Sequence, residues 1–199
     1  MFRCLVIAAF WFSVTVAQAQ EIAPSRTEQR YFDWFDQFCL ATLGAPEAAQ
    51  AAAAEAGWPS VPEEIIAQVT TPDAPIVSGR YGPSLIPSGA PIFFFSATGP
   101  PVESGLVAHT CVFDPGNLPR MDAATLEAMV TRRLGIEPRQ TALGPIWSYS
   151  GTGPYVSEER VWIEDEVALA TTTQRRPIAL VQIKVHEGRP YLNVTRAGR

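Results

Sequence analysis

The sequence predicts an α+β fold in which an N-terminal helical hairpin and one further helix pack on a mostly antiparallel β-sheet. Apolar residues recur at three- and four-residue steps near the N-terminus and again in the middle of the chain, as in amphipathic helices. Alternating apolar and polar runs bounded by glycine and proline, which are typical of strands, fill the rest of the second half. Helices and strands are thus grouped along the chain, which favours α+β over α/β.

The N-terminal segment 1–19 has the pattern of a secretory signal peptide. Arg3 supplies a positive start, 4–16 is an apolar run, and Ala17 and Ala19 are the small residues of a cleavage site. The run is about 13 residues long, short of the roughly 20 that a spanning helix needs, so no membrane span is expected. We expect an exported bacterial protein, periplasmic or secreted, cleaved near Ala19.

Residues 20–199 are expected to form a single domain, because about 180 residues suffice for one core. Residues 20–29 are polar and predict a mobile start of the mature chain. The formal net charge of the whole chain is −5. An acidic chain has no electrostatic reason to bind nucleic acid or an anionic membrane, so neither partner is expected.

Cleavage would leave two cysteines, Cys39 and Cys111, in an oxidising compartment. An even pair in an exported chain predicts a disulfide bond. Closing a loop of about 70 residues would stabilise the fold by about 4 kcal/mol in the chain-entropy description. The spacing differs from the Cys-x-x-Cys of redox catalysts, so we expect the bond to be structural.

The first predicted helix begins at Arg30 and ends near Gly44. Cys39 lies on its apolar stripe, so a disulfide there would fasten the helix to the layer beneath. The other members of the stripe are Tyr31, Phe32, Phe35, Phe38 and Leu43.

The second predicted helix covers 46–56, with proline in its first turn and Gly57 as its C-terminal cap. Its alanines suit close packing against the first helix in a hairpin, and Trp58 is predicted to close the corner. The following region, 59–88, is rich in proline and glycine and is predicted to be loop, with one helical turn over 63–69.

A β-hairpin and a third helix are predicted next. The hairpin strands cover 91–98 and 105–113. The helix covers 121–134, with Asp122 as N-cap and Gly135 as C-cap.

Four more strands are predicted in the last third of the chain. They cover 144–150, 159–171, 178–186 and 191–195. The last two are joined by a hairpin turn over 187–190, where glycine allows positive φ.

Residue types that bind metals are sparse in the mature chain, whose histidines are His109 and His186. His109 and Cys111 are two apart on one strand and would point the same way, as metal ligands do. No further ligand cluster accompanies them, and an oxidised Cys111 would not bind a metal. We therefore expect no metal and no cofactor.

Serine and carboxylate groups give weak catalytic signals. Ser148 and Ser150 precede a glycine-rich turn at 151–153, but the Gly-x-Ser-x-Gly elbow and the lysine of a P-loop are missing, which favours a plain turn. Acidic residues lie at 158–159 and 164–166. Carboxylates of this kind form the catalytic pair of glycosidases and the ligands of calcium sites. Their spacing lacks the rhythm of a calcium loop, and the triplet 164–166 is better explained as a strand interruption or a solvated strand edge.

Aromatic residues offer a candidate binding surface at Trp147 and Trp162. Trp162 alternates with Glu164 and Glu166, which places it on the more exposed face of the predicted strand. Core packing is the alternative for both. Asn193 begins an N-glycosylation sequon, which matters only in a eukaryotic secretory route.

The function these features favour is that of an exported, non-catalytic interaction or ligand-binding module stabilised by one disulfide. Its partner would be an envelope or extracellular protein or a small ligand. The alternative is an exported hydrolase whose dispersed site combines His109 or His186 with a serine and a carboxylate. A structural component of the cell envelope is a third class.

Overall fold

Helices pack on an antiparallel sheet in the computed structural model, which describes residues 23–72, 75–87, 89–101, 105–115, 121–159 and 166–198. The predicted signal peptide at 1–19 lies outside them. The helices are α1 (Arg26–Phe35), α2 (Pro46–Glu55), α3 (Glu63–Val69), α4 (Ala123–Leu134) and α5 (Glu166–Thr173). The strands are β1 (Ile76–Gly82), β2 (Ile92–Thr98), β3 (Val107–Asp114), β4 (Arg139–Thr141), β5 (Gly144–Ser150), β6 (Val156–Ser157), β7 (Ile178–His186) and β8 (Arg189–Gly198). The α+β prediction is confirmed.

The sheet has the strand order β1-β2-β3-β8-β7-β5-β4, with β6 paired to β5. Every pair of neighbouring strands in it is antiparallel. The last strand, β8, lies in the middle between β3 and β7, so it joins the N-terminal and C-terminal halves of the sheet. No helix in the described ranges combines the length and hydropathy needed to cross a bilayer.

The α1 helix begins at Arg26, four residues before the predicted start. The Ser25 hydroxyl accepts from the Glu28 amide, and the Glu28 carboxylate accepts from the Ser25 amide, which is a capping box. Glu28 also accepts from the Asp122 amide at 3.0 Å and so ties α1 to the start of α4. Residues 26–29, predicted as part of the mobile start, are therefore helical.

A π-helical segment, Asp36–Leu40, continues α1 and carries Cys39. The predicted disulfide joins Cys39 to Cys111 on β3, with the Cα atoms 5.8 Å apart and both residues buried. It fastens the first helix to the sheet, as the stripe predicted. Phe38, one residue earlier, packs against Trp58 with ring centroids 4.9 Å apart. Trp58 thus closes the corner after α2 as predicted.

Tyr31 on α1 inserts its hydroxyl between two strands of the sheet. The hydroxyl donates to the Phe113 carbonyl at 2.6 Å and accepts from the Leu192 amide at 3.1 Å. Burial raises the pKa of Tyr31 well above its ordinary value, although the Leu192 amide favours the anion. The phenol thus bridges β3 and β8 at the end of their ladder and ties the helix layer to the backbone of the sheet.

Two further predictions about secondary structure are wrong. β1 lies within 59–88, which was predicted to be loop apart from the helical turn that α3 confirms. Gly79 is required there, because a Cβ would come within 2.6 Å of the Phe95 ring on β2. The predicted strand 159–171 is helical from Glu166 onward, since a short apolar run does not by itself distinguish strand from helix.

Candidate functional site

The two faces of the sheet differ in what covers them. The core face carries Phe94 and Cys111 and packs against α1, the π-helical segment, α2 and α4. The outer face carries Phe95, Val112 and Asn193, which are aligned across β2, β3 and β8 by the strand register. The α3 helix contacts β1 and places Val69 beside Phe95 over the outer face, and α5 contacts β8.

A cavity of about 390 Å³ lies over the outer face beside α3. Its volume is in the range of small-molecule sites. Phe95 and Val112 form its floor, and Val69 and Ile76 form an aliphatic wall. The β7–β8 hairpin forms the opposite wall, through His186, Glu187, Arg189 and Tyr191.

Strand geometry explains the apolar floor. Phe95 pairs with Val112, so both side chains leave the sheet on the outer face. Phe93, two residues earlier, stacks parallel to Phe95 with an interplanar angle of 1° and centroids 5.7 Å apart. Tyr81 on β1 packs against Phe93 at 6.5 Å. An aromatic row therefore runs along the outer face into the cavity.

The polar rim of the cavity comes from the ends of β3 and β8. Asp114 is the last residue of β3 and lines the cavity together with Tyr191. Burial, and next the negative charge of Asp114, raise the pKa of the Tyr191 phenol. The phenol is therefore neutral at physiological pH and able to donate a hydrogen bond. The cavity combines an apolar floor with a rim of ionic and phenolic groups.

Asn193 lies beside this floor on the same face of the sheet. It pairs with Val112 across β3 and β8 and is 2% exposed. Its Oδ1 atom is buried and accepts no hydrogen bond from any described residue. A buried amide oxygen without a donor is unusual, because the lost hydration is not replaced. Because Asn193 is buried, a glycosylating enzyme cannot reach the sequon in the folded chain.

A buried carboxylate occupies the part of the outer face remote from the cavity. Glu158 is 4% exposed, accepts from the Ser150 hydroxyl at 2.6 Å and lies 2.8 Å from Arg176 Nη2. The Ser148 hydroxyl donates to the Glu158 carbonyl at 3.1 Å. Glu158 is therefore a buried carboxylate whose charge Arg176 compensates. Glu159 is exposed near Arg139, and 164–165 lie outside the described residues.

A second polar cluster lies where the π-helical segment meets α4. Arg133 donates to Asp36 at 2.7 Å, which raises the pKa of the guanidinium, and it lies 5.1 Å from the Tyr155 ring centroid. Tyr155 packs edge-on against buried Tyr149. The pKa values of both tyrosines are raised, chiefly by burial. This cluster joins the helix layer to the sheet.

Of the two tryptophans in the predicted binding surface, the structure describes Trp147. Trp147 is fully buried on the core face and donates from Nε1 to the Thr131 hydroxyl at 3.1 Å. It presents no surface to a partner and belongs to the core alternative. Trp162 lies outside the described residues.

The histidines and serines of the hydrolase alternative lie in different parts of the sheet. His109 contacts the Thr98 hydroxyl at 3.2 Å. His186 lines the cavity with Asp114 and Glu187, whereas Ser148 pairs with Leu180, six positions along β7, or about 20 Å away at strand spacing. The described residues contain no group of three or more metal-binding side chains.

Sequence reasoning missed the cavity residues Phe95, Val112, Asp114 and Tyr191. A signal was present in the triple phenylalanine of β2. A strand with one solvated face alternates apolar and polar residues, whereas Phe93 and Phe95 place aromatic rings on the face opposite Phe94. That pattern indicates a second apolar surface.

Comparisons with protein-family models, curated proteins and solved structures find no match to this chain. The functional conclusion therefore depends on the geometry of its own residues.

Proposed function

We propose that this protein is an exported, non-catalytic ligand-binding module whose ligand lies in the outer-face cavity. The observation that carries the proposal is the cavity itself, about 390 Å³ in volume with Phe95 and Val112 as an apolar floor. Burial of apolar ligand surface on this floor would supply affinity, and the few polar groups of the rim would orient the ligand.

The division of the sheet supports this proposal. The helix layer, the disulfide and Tyr31 stabilise the fold on the core face, so the outer face keeps the cavity without a loss of core packing. The signal-peptide pattern at 1–19 and the Cys39–Cys111 bond favour a periplasmic or secreted location.

Binding of Nile red, a neutral dye whose emission shifts to the blue in apolar sites, tests the proposal. We expect the wild-type protein to bind it with a single site. Val112→Phe fills the floor of the cavity and is expected to weaken binding at least about tenfold, since one or two methylene-sized overlaps cost that much. Val156→Phe is the matched control, because Val156 is 52% exposed on β6 and does not line the cavity.

Equal binding by wild type and Val112→Phe would contradict the cavity as the site. Hydrolysis of a p-nitrophenyl ester that is lost in His186→Gln would favour the hydrolase alternative, which the shared position of His186, Asp114 and Glu187 in the cavity makes worth measuring. Stoichiometric capture of an envelope assembly without dye binding would favour the structural class.

Export is tested separately by intact mass of the protein from the exported fraction. Cleavage after Ala19, with Cys39 and Cys111 alkylated only after reduction, is expected. An uncleaved chain, or thiols that react without reduction, would contradict the proposed location.

A further inference from the structure

The phenol of Tyr191 is a hydrogen-bond donor on the wall of the cavity. Tyr191 is half-buried on β8 and lines the cavity. Its hydroxyl makes no hydrogen bond to any residue that the structure describes. A ligand that covers this wall displaces water from the hydroxyl, so the ligand gains affinity when it brings an acceptor of its own.

The strand register places this phenol beside the apolar floor. Leu192 pairs with Phe113, so Tyr191 lies opposite Asp114 on the outer face. Asp114 is two residues beyond Val112 on β3, which makes Tyr191 the diagonal neighbour of Val112. Diagonal neighbours across antiparallel strands are about 7 Å apart, within reach of an aromatic side chain. A ligand that lies on Val112 is therefore next to the phenol.

The ionic groups of the lining do not require a charged ligand. Asp114 and Arg189 each already have an interaction partner. His186 and Glu187 are exposed at the end of the β7–β8 hairpin, where water solvates them. A charged group of a ligand would lose its hydration on the apolar floor without gaining an unpaired counter-charge. The lining therefore favours an uncharged ligand.

The protonation state of the phenol determines which polar group of a ligand it can bind. Burial, and next the negative charge of Asp114, raise the pKa of Tyr191, so the hydroxyl keeps its proton and donates. A carbonyl oxygen accepts this hydrogen bond and brings no donor of its own. A ligand hydroxyl also brings a donor, which needs a further partner. A carbonyl group therefore matches this wall with the phenol alone.

We propose that the cavity binds an uncharged carbonyl compound, a ketone or an ester, with its apolar body on Phe95 and Val112 and its carbonyl oxygen accepting from the Tyr191 hydroxyl. This inference rests on the proposed ligand-binding function of the same cavity. The aliphatic wall of Val69 and Ile76 contacts the other side of the apolar body. Burial of that body supplies affinity, and the phenol fixes its orientation.

Displacement of Nile red at pH 7 by four probes with a phenylalkyl body tests the proposal: 4-phenyl-2-butanone, isopentylbenzene, 4-phenylbutylamine and 4-phenylbutyrate. Isopentylbenzene carries a methyl group where the ketone has its oxygen. The ketone is expected to bind at least about tenfold more tightly than the amine or the carboxylate, because a charged group loses its hydration on the floor.

Tyr191→Phe removes the donor and keeps the ring. It is expected to weaken binding of 4-phenyl-2-butanone about fivefold, as for the loss of one hydrogen bond between uncharged groups, and to leave isopentylbenzene unchanged. A purely structural role of Tyr191 would not produce this split, since a change in the shape of the cavity affects both probes. The affinity of each variant for Nile red is measured first, so that displacement gives the dissociation constants of the probes.

Tyr81→Phe is the matched control. Tyr81 is half-buried on β1, packs against Phe93 on the outer face and does not line this cavity. Loss of its hydroxyl is expected to leave the binding of all four probes unchanged.

Equal or tighter binding of the amine or the carboxylate, compared with the ketone, would overturn the assignment of an uncharged ligand. Equal weakening of the ketone and the hydrocarbon by Tyr191→Phe, or no weakening of the ketone, would overturn the phenol as the donor. Failure of all four probes, while Nile red still binds and Val112→Phe weakens it, would overturn the ligand class but leave the proposed function in place. Failure of Nile red to bind would remove the proposed function and this inference with it.

Discussion

The core face of the sheet is densely packed, whereas the outer face borders a cavity. On the core face, aromatic rings of the helix layer interlock with Phe94 and Phe113, and the Cys39–Cys111 bond fixes the first helix to β3. On the outer face, α3 lies at one edge of the sheet, and a cavity lies over Phe95 and Val112. One face is filled, and the other retains space.

This difference indicates where stability and binding are located. Substitutions on the core face are expected to change the free energy of unfolding strongly and cavity binding little. Substitutions in the cavity are expected to change ligand binding strongly and the free energy of unfolding little. The floor residue Val112 is only partly buried, and the cavity leaves space for a larger side chain at this position. Four measurements of unfolding test whether stability and binding are divided between the two faces in this way.

Removal of the disulfide should have the largest effect. The double substitution Cys39→Ala and Cys111→Ala is expected to lower the free energy of unfolding by about 4 kcal/mol, because the unfolded chain regains the freedom of a long loop. Urea unfolding measures the change. Nile red binding, measured at a temperature where the variant is folded, should persist. A loss below about 1 kcal/mol, or a loss of binding in the folded variant, would break the division between the faces.

Tyr31→Phe should come next, with a loss of about 2 kcal/mol, because the Phe113 carbonyl and the Leu192 amide both lose their bridge. Thermal unfolding monitored by circular dichroism measures it. Tyr81→Phe removes a hydroxyl from the partly exposed outer face and serves as the control, with almost no change expected. Equal effects of the two substitutions would show that the bridge does not stabilise the core face.

Arg176→Ala tests the buried carboxylate of the outer face. It is expected to cost about 1 to 2 kcal/mol, since Glu158 would remain buried with its charge less compensated. Glu158→Gln in the same chain should recover part of that loss in urea unfolding. Arg139→Ala, whose partner Glu159 is exposed, should cost less than about 0.5 kcal/mol. A full loss retained in the double variant would contradict charge compensation.

The smallest effect is expected from pH. Burial would raise the pKa of Glu28, but hydrogen bonds from the Asp122 and Ser25 amides outweigh burial and lower it. The stability that Glu28 contributes is therefore present above its unfolded pKa and is lost as pH falls through the lower, folded value. Between about pH 5 and pH 3, the melting temperature of Glu28→Gln should therefore fall by less than that of the wild type.

Glu55→Gln, at the exposed end of α2, is the control for that measurement. Parallel pH profiles of wild type and Glu28→Gln would show that the capping box does not link α1 to acid stability.

Local rules were enough for four of the five described helices and for five of the eight described strands. The α4 helix begins after Asp122, whose carboxylate accepts from the Thr125 amide, and ends at Gly135 with φ of 65°, as the capping pattern predicted. The β7 strand matches its predicted range, Ile178–His186. These elements follow from the residues within and beside them.

Elements that depend on distant partners were harder to predict. β1 has little strand character by itself, and it forms because Gly79 lets the backbone approach the Phe95 ring and because β2 offers an edge. The cavity depends on strand order as well. Asp114 and Tyr191 are far apart in sequence and meet because β8 inserts beside β3.

The sequence by itself determined the α+β class, the helical hairpin with its Trp58 corner and the pairing of Cys39 with Cys111. These depend on periodicity, capping and the even number of mature cysteines, which are local or countable properties. Tertiary structure decided that Trp147 is buried, that Glu158 is paired inside the protein, and that Phe95 and Val112 share one face beneath a cavity. Strand order and register set those neighbours, and neither is encoded in any single segment of the chain.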